Sequence, residues 1–295
     1  MRSDYLASIT KKTVFDAAAG TSFTSDKGVL VNIDGGCLYD ELGNAITGNV
    51  DLSYTELFDA GSMVIADKPL VGKGVVDGKN GNWPLVTGGE FNIVASQNDK
   101  KLNGCRLRLD VPGNLTDAVL PDGEQMTAWT AVEDGDSFTW EESDGDKEAW
   151  VGRGENSGVG NSYFCSFPFG WTNIDWLYSL PGTKTSLCVK VPTGFTNKNA
   201  AVFAAYVDMP ATLALFDVYV SEGEGAPFFT EHTGVAPIGY QMYIIFISLD
   251  EKTDTVIYSM KKVTVEDGKF IRFEQADLKT ASLSTVVGLI NNFVK

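Results

Sequence analysis

The sequence is poor in the side chains that most often carry catalysis. It holds one histidine, His232, which follows Glu231 in a segment of loop-like composition. A lone histidine cannot supply a metal site built on several imidazoles, and no nucleophile motif accompanies it. A G-x-S-x-G nucleophile elbow and a phosphate loop ending in Lys-Ser/Thr are both missing. We therefore expect no enzyme and no cofactor.

Cysteine is also sparse, and its spacing excludes the common metal motifs. Cys37, Cys105, Cys165 and Cys188 form no C-x-x-C pair, so zinc-ribbon and thioredoxin-type chemistry lack their signature. Cys105 and Cys188 lie in alternating segments typical of strands, and we expect buried, free thiols. Disulfide pairing cannot be read from sequence and stays open.

Long apolar runs are absent. No stretch of 18 apolar residues occurs, so we expect no helix that inserts into a membrane. The first twenty residues never place more than three apolar residues in a row, which does not fit a secretory signal. Earlier removal of such a signal is the competing explanation.

Basic residues are in the minority, 23 against 39 acidic ones, which gives a formal net charge of −16. Repulsion at that charge opposes binding to nucleic acid and to anionic membranes. Solubility explains the charge, and the alternative is a negative surface for a basic neighbour in an assembly. Two acidic strings, at 133–136 and 143–146, lack the length and closing glutamate of an EF-hand, so we interpret them as solvated turns and expect no metal.

What the sequence does have is alternation of apolar and polar residues. This pattern predicts strands with one buried face, of the kind found in antiparallel sheets. It marks the segments GVLVNID (28–34), NVDLSYTEL (49–57), EFNIVAS (90–96) and CRLRLDV (105–111). Runs at 200–207, 213–220 and 240–249 are more uniformly apolar, which predicts strands covered on both faces.

Frequent Gly, Asn and Asp turn signals between these segments predict an all-β fold of two antiparallel β-sandwich domains, Ig-like or Greek-key in type. A composition shift near 112–124 indicates the boundary between them. We predict an N-terminal arm at 1–20, a first sandwich at 21–115, a second at 124–276 and a helix at 277–295. An acidic, tryptophan-containing stretch at 133–158 is interpreted as a loop of the second domain.

The C-terminal segment has helical periodicity. Its apolar residues recur at i, i+3, i+4, i+7 and i+11 and therefore share one face. Such a face either packs on its own sandwich or docks on a neighbouring subunit, and both interpretations stay open. Tryptophans around 129–176 suit a core, a protein interface or a glycan platform. The candidate interface comprises Leu283, Val286, Val287, Ile290, Val294, Trp140 and Trp150.

Several motifs together resemble a known family. They are a D-x-x-G-N-x-I-x-G turn (Asp40, Gly43, Asn44, Gly48), a strand with Val50, Leu52, Tyr54 and Glu56, the segment Gly88-Gly89-Glu90-Phe91, and FGWTNIDWLY at 169–178. In this arrangement the sequence resembles a β-sandwich module of surface proteins from gut bacteria of the Bacteroidetes type. The resemblance covers about 22–110 and 163–275, and it implies a sandwich fold with an adhesive or structural role.

The resemblance also implies a setting. Bacterial surface proteins of this kind carry a signal peptide or a lipoprotein cysteine, whereas crAss-like phages assemble structural proteins in the host cytoplasm. We therefore expect a virion component (tail, collar or head appendage) of a phage infecting gut bacteria. It would bind other structural proteins of the assembly and form a homo-oligomer. The alternative is a bacterial cell-surface adhesin or glycan-binding module.

Overall fold

The computed structural model describes residues 1–76, 78–104, 106–120, 124–134, 137–143, 150–154, 162–178, 180–207, 209–216, 218–220, 228–230, 234–250 and 255–294. Within these ranges the chain is predominantly β, with antiparallel sheets and a C-terminal helix, as the alternation predicted. No helix in the described ranges has the length and hydropathy that a bilayer crossing requires.

The N-terminal part of the chain alternates short and long strands with two helices. Helix α1 is Arg2–Ile9 and helix α2 is Ala60–Ala66. The strands are β1 (Lys11–Asp16), β2 (Gly20–Thr24), β3 (Leu30–Asp34), β4 (Leu38–Tyr39), β5 (Asn49–Leu57), β6 (Val71–Val76), β7 (Lys79–Gln97), β8 (Lys100–Lys101), β9 (Asn103–Gly104) and β10 (Leu107–Pro112).

The remainder of the chain continues in the same manner and closes on helix α3 (Leu283–Phe293), after a single 3-10 turn at Gln275–Asp277. Its strands are β11 (Thr127–Asp134), β12 (Ser137–Glu142), β13 (Trp150–Gly154), β14 (Ser162–Phe167), β15 (Gly170–Leu177), β16 (Lys184–Thr185), β17 (Cys188–Lys190), β18 (Ala201–Tyr206), β19 (Met209–Leu215), β20 (Val218–Val220), β21 (Phe228–Thr230), β22 (Ala236–Pro237), β23 (Gln241–Asp250), β24 (Thr255–Thr264), β25 (Phe270–Arg272) and β26 (Lys279–Ala281).

Strand β7 lies at the centre of the largest sheet. It pairs antiparallel with β5, β6 and β15, and it meets β19 where Thr212 lies opposite Val86. Beyond β19 the sheet continues through β18, β23, β24 and β26, and beyond β5 it ends at β1. One strand therefore connects the sheet of the N-terminal part to that of the C-terminal part.

Two smaller sheets lie beside the largest one. Their strand orders are β13-β14-β10-β3-β2 and β20-β21-β17-β25. The pairing of β14 with β10, and of β15 with β7, adds strands from 162–177 to the N-terminal sheets. The chain therefore crosses the expected boundary at 112–124 without leaving these sheets. Residues 1–20 are also part of this body, because β1 pairs with β5 over its whole length.

Three apolar clusters hold these layers together. The first core lies between β1, β5, β7 and β15 on one side and β3, β10 and β14 on the other, and its larger members are Phe15, Val31, Ile33, Val50, Leu52, Tyr54, Phe91, Ile93, Leu107, Leu109, Phe167 and Ile174. The second core packs helices α2 and α3 on the opposite face of the largest sheet, and it includes Leu57, Met63, Ile65, Trp129, Trp140, Phe203, Leu213, Ile245, Val286 and Ile290. The third core lies under β17 and β21, and it includes Val189, Val202, Phe216, Phe229, Ile244, Phe246, Ile271 and Phe273.

The more apolar strands are covered on both faces, as their composition predicted. In β18, Phe203 belongs to the second core and Val202 to the third. In β23, Ile245 belongs to the second core, whereas its neighbours Ile244 and Phe246 belong to the third. Because successive side chains of a strand point to opposite faces, a strand between two cores has to be apolar at nearly every position.

Candidate functional site

The C-terminal helix packs on its own chain, one of the two arrangements that the sequence left open. Val286 and Ile290 are fully buried in the second core, and Val294 is nearly so. Leu283 and Val287 are half-buried and pack against the same core. In this conformation the apolar face of α3 has little surface to offer a neighbouring subunit, and its role as an interface stays a prediction.

A pair of amide hydrogen bonds anchors the helix. The side-chain oxygen of Asn291 accepts a bond from the Gly61 backbone N–H at 2.7 Å, and its NH₂ group donates to Asp59 Oδ1 at 2.7 Å. Asp59 is also the N-cap of α2, where its carboxylate accepts the Ser62 N–H. Helices α2 and α3 are therefore joined by polar contacts in addition to apolar packing.

The other residues that the sequence singled out lie in the core or outside the described part of the structure. Trp140 is completely buried, and its indole N–H donates to the Pro69 carbonyl at 3.0 Å, so it is a core residue in this conformation. Trp150 begins β13, and its side chain lies outside the described part of the structure. His232, half of the string at 133–136 and most of the string at 143–146 also lie outside the described residues.

A polar cluster that the sequence did not predict lies inside the fold, on the second-core face of β7 and β15. In their pairing Asn173 lies opposite Glu90, and Asp175 lies opposite Thr87. All four side chains are buried, with at most 1% of each exposed. The segments that carry them, TGGEF and WTNID, include two of the motifs on which the family resemblance rests.

A β-bulge sets the geometry of this cluster. The register shifts between Ile174 and Asp175, so that Gly88 has no opposite residue in β15. Gly89 has a φ of 137°, and a Cβ there would lie 2.4 Å from the ring of Phe58. Bulges change the direction of neighbouring side chains. Here the bulge places the polar side chains of both strands together on one face.

Hydrogen bonds connect three of the four side chains. The Thr87 hydroxyl donates to Asn173 Oδ1 at 3.0 Å and accepts the Gly89 backbone N–H at 2.9 Å. The NH₂ group of Asn173 donates to Asp175 Oδ2 at 2.5 Å. The Asn173 amide is therefore fixed in one orientation, with its oxygen toward β7 and its nitrogen toward Asp175.

Three carboxylate oxygens in the cluster lack a hydrogen-bond partner among the described residues. These are both oxygens of Glu90 and Oδ1 of Asp175, and all three are buried. Burial raises the pKa of Glu90 well above its usual range, the charge of Asp175 raises it further, and Lys68 opposes the shift. Burial likewise raises the pKa of Asp175, although the Asn173 NH₂ group and the nearby polar hydroxyl of Thr87 act against the shift.

Lys68 is the cation nearest this cluster, but its ammonium group is engaged elsewhere. It lies 3.6 Å from the centre of the Phe138 ring and 4.9 Å from that of Trp171. Its salt bridge is to the exposed Glu133, at 3.6 Å. Burial lowers the pKa of Lys68, and the nearby carboxylates of Glu133 and Glu90 partly restore it.

One feature of the sequence indicates this cluster, although the alternation of apolar and polar residues does not. In EFNIVAS, Glu90 occupies a position that the pattern assigns to solvent, because Phe91 and Ile93 occupy the buried face. Yet Glu90 is the one charged residue between Lys79 and Asp99, and Asp175 is the one between 163 and 183. A single charge within a long uncharged run indicates a strand that is buried on both faces.

The cysteines divide into two kinds. Cys165 is buried and free, and Cys188 is half-buried and free, as expected. Cys37 is disulfide-bonded, so the expectation of free thiols is wrong for this residue. Cys105, the remaining cysteine of the sequence, lies outside the described residues. Cys37 lies between β3 and β4, outside the alternating segments from which free thiols were expected.

Comparison with protein-family models and with curated proteins finds no match for this chain. The relationship to surface modules of gut bacteria, and to structural proteins of their phages, therefore stays a prediction from the motifs.

Proposed function

We propose that the chain is a non-enzymatic structural protein of two β-sandwich units that works through contacts with other protein chains. The sandwich interpretation is supported by the first and third cores, each of which lies between two sheets. The second core, with its helices, joins the two units along one face of the largest sheet.

The observation that carries the proposal is the edge of the largest sheet. Among the described strands, β1 pairs with β5 alone. Its other side presents backbone N–H and C=O groups that a second strand can bind. Val14, in the middle of β1, is 58% exposed and places an apolar side chain beside this unpaired edge.

The sequence of β1 suits pairing with a second copy of itself. In a two-fold antiparallel arrangement centred on Val14, Lys12 of one copy lies opposite Asp16 of the other, on the exposed face that all three residues share. Opposite charges in such cross-strand pairs contribute roughly 0.2–1 kcal/mol each, and the two-fold axis provides two such pairs. This supports the homo-oligomer that we expect from the sequence.

A non-enzymatic role is supported by the position of the carboxylates. Burial shifts the pKa values of Glu90 and Asp175 strongly, which is a common property of catalytic acids and bases. Both are completely buried, however, so a substrate has no path to them in this conformation.

Two settings are proposed for these contacts. One is a virion, where the chain would be part of a tail, collar or head appendage of a phage of gut bacteria. The other is the surface of a bacterial cell, where the chain would be an adhesin or glycan-binding module. The disulfide of Cys37 favours the second setting, because disulfides persist mainly outside the reducing cytoplasm.

The test is the mass of the full-length protein in solution, measured by light scattering over a range of concentrations. We expect a dimer or larger closed oligomer, and we expect Val14→Lys to shift it toward monomer. Leu42→Lys is the matched control, because Leu42 is 86% exposed but lies in a turn. A full-length protein that stays monomeric at the highest concentration contradicts the proposal of a self-assembling subunit.

A polysaccharide-binding panel separates the two settings. Specific retention of one polysaccharide supports the surface module. A panel without any binding, together with an oligomer that depends on Val14, favours the virion component.

A further inference from the structure

The polar cluster between β7 and β15 contains more acceptor oxygens than donors. Glu90 contributes two oxygens without a partner and Asp175 contributes one, all at buried positions. Nearly all buried polar atoms in folded proteins have a partner, and an exception calls for a bound water, an ion or a functional role. A buried ionised carboxylate without any partner is among the most unfavourable groups in a protein interior.

Protonation of the carboxyl groups removes the buried charge but does not supply the missing hydrogen-bond partners. Among the described residues, neither oxygen of Glu90 has a group from which to accept or to which to donate. The Lys68 ammonium group does not solve it either, because it contacts Phe138 and Glu133 instead. A small positively charged species that contacts these oxygens would supply both the missing partner and the missing charge.

We propose that Glu90, Asp175 and Asn173 form an internal site for a hard divalent cation, with Ca²⁺ as the ion that fits best. The ligands are both carboxylate oxygens of Glu90, Oδ1 of Asp175 and the amide oxygen of Asn173. Thr87 is a positioning residue, because its hydroxyl holds that amide oxygen in place.

The chemistry of the donor set selects the class of ion. All of the donors are oxygen, which suits Ca²⁺ and Mg²⁺ and disfavours the softer transition metals. Two carboxylates match a divalent charge. The described residues hold no cluster of three or more His, Cys, Asp or Glu side chains that could bind a metal. The site therefore depends on the neutral amide of Asn173, and water completes the coordination, which Ca²⁺ tolerates better than Mg²⁺.

Burial determines how the ion enters. The four side chains are at most 1% exposed, so the folded protein exchanges the ion slowly and acquires it during folding. For this reason, the ion should be removed from the unfolded chain rather than by adding a chelator to the native protein.

The experiment uses the full chain, unfolded in denaturant with EDTA and refolded with Ca²⁺, with Mg²⁺ or with EDTA. Bound metal is measured by elemental analysis after gel filtration, and the melting temperature is measured in parallel. We expect one Ca²⁺ per chain and a Tm higher by about 5 °C when Ca²⁺ is about 100-fold above its Kd. Glu90→Gln and Asp175→Asn should each weaken Ca²⁺ binding at least about tenfold and abolish the Tm shift.

Glu141→Gln is the matched control, since Glu141 is a half-exposed carboxylate of the same sheet whose partner is Lys73. It should keep both the bound Ca²⁺ and the Tm shift. Refolded protein with no bound metal and a Tm indifferent to Ca²⁺ and Mg²⁺ overturns the proposal and leaves a protonated carboxyl pair in its place. Binding that survives in Glu90→Gln and Asp175→Asn also overturns it, because the ion then lies elsewhere.

Discussion

Glu90 and Asn173 lie directly opposite each other in the pairing of β7 with β15, although they are far apart in the sequence. Each belongs to a motif that the sequence presents separately, TGGEF in one case and WTNID in the other. Their juxtaposition places two buried carboxyl groups, those of Glu90 and Asp175, within one interior cluster. The pH dependence of folding follows from it.

For protein unfolded with EDTA and refolded without added metal, stability should fall as the pH rises. The ordinary pKa values of Glu90 and Asp175 are 4.5 and 3.8, and burial raises both in the folded state. Above about pH 4 the unfolded chain therefore releases protons that the folded chain keeps, which favours unfolding. We expect the Tm of the unmodified protein to decrease from about pH 5 toward about pH 8, and the Tm of Glu90→Gln to decrease less over the same range. Identical pH profiles for the two proteins contradict the burial of an acidic Glu90.

The contact between α2 and α3 can be tested at Asn291. Replacing it with alanine leaves the Gly61 N–H and Asp59 without the side chain that bridges them. Asn291→Ala should lower the free energy of unfolding in urea by about 1–3 kcal/mol. Asn292→Ala, at the exposed neighbouring position, should change it by less than about 0.5 kcal/mol. Equal effects at the two positions argue against the bridge.

A substitution at Ile290 tests whether α3 is part of the core or docks on a neighbouring subunit. Its side chain is completely buried in the second core. Ile290→Ala should therefore destabilise the monomer by about 2–5 kcal/mol, as measured by denaturant unfolding. Phe293→Ala, at a position 44% exposed, should be milder. A variant at Ile290 that dissociates an oligomer without loss of monomer stability supports the docking interpretation instead.

The disulfide makes a prediction about thiol chemistry. The sequence has four cysteines, of which Cys165 and Cys188 are free and Cys37 is bonded. Protein made in an oxidising compartment and unfolded without reductant should show two reactive thiols per chain, and four after reduction. Cys37→Ser should destabilise the fold by about 2–5 kcal/mol. Four reactive thiols before reduction show that the bond does not form.

Gly89 should be among the least replaceable residues of β7. An alanine at this position would have to keep the positive φ. Its Cβ would also clash with the ring of Phe58, at a distance of 2.4 Å. Gly170→Ala shares the positive φ, at 109°, but nothing lies within 4 Å of its Cβ position. The left-handed conformation alone costs about 1 kcal/mol. We expect Gly89→Ala to unfold at a clearly lower denaturant concentration than Gly170→Ala. Equal unfolding midpoints for the two variants would show that the contact with Phe58 adds no cost.

Much of the first core could be predicted from the sequence. Alternation assigned Val50, Leu52 and Tyr54 to a buried face, and all three are buried in β5. The C-terminal periodicity likewise predicted α3. Both predictions succeeded because the period of two or 3.6 residues is a local property that survives in any surrounding fold.

The polar cluster could not be predicted in the same way. The burial of Glu90 depends on helices and strands that cover the second face of β7, and these come from distant parts of the chain. The short helix α2 was also missed, although Asp59 before an apolar run is a recognisable N-cap. Strand pairing across the chain, such as that of β15 with β7, has no local signature.

The central position of β7 has a consequence for how the chain can be divided. A cut between 112 and 124 leaves β7 and β10 on one fragment and their partners β15 and β14 on the other. Neither fragment then retains the pairing that closes its sheets. The two pieces, expressed separately, should be unstructured or prone to aggregation alone, and they should recover the native fold by complementation when they are mixed.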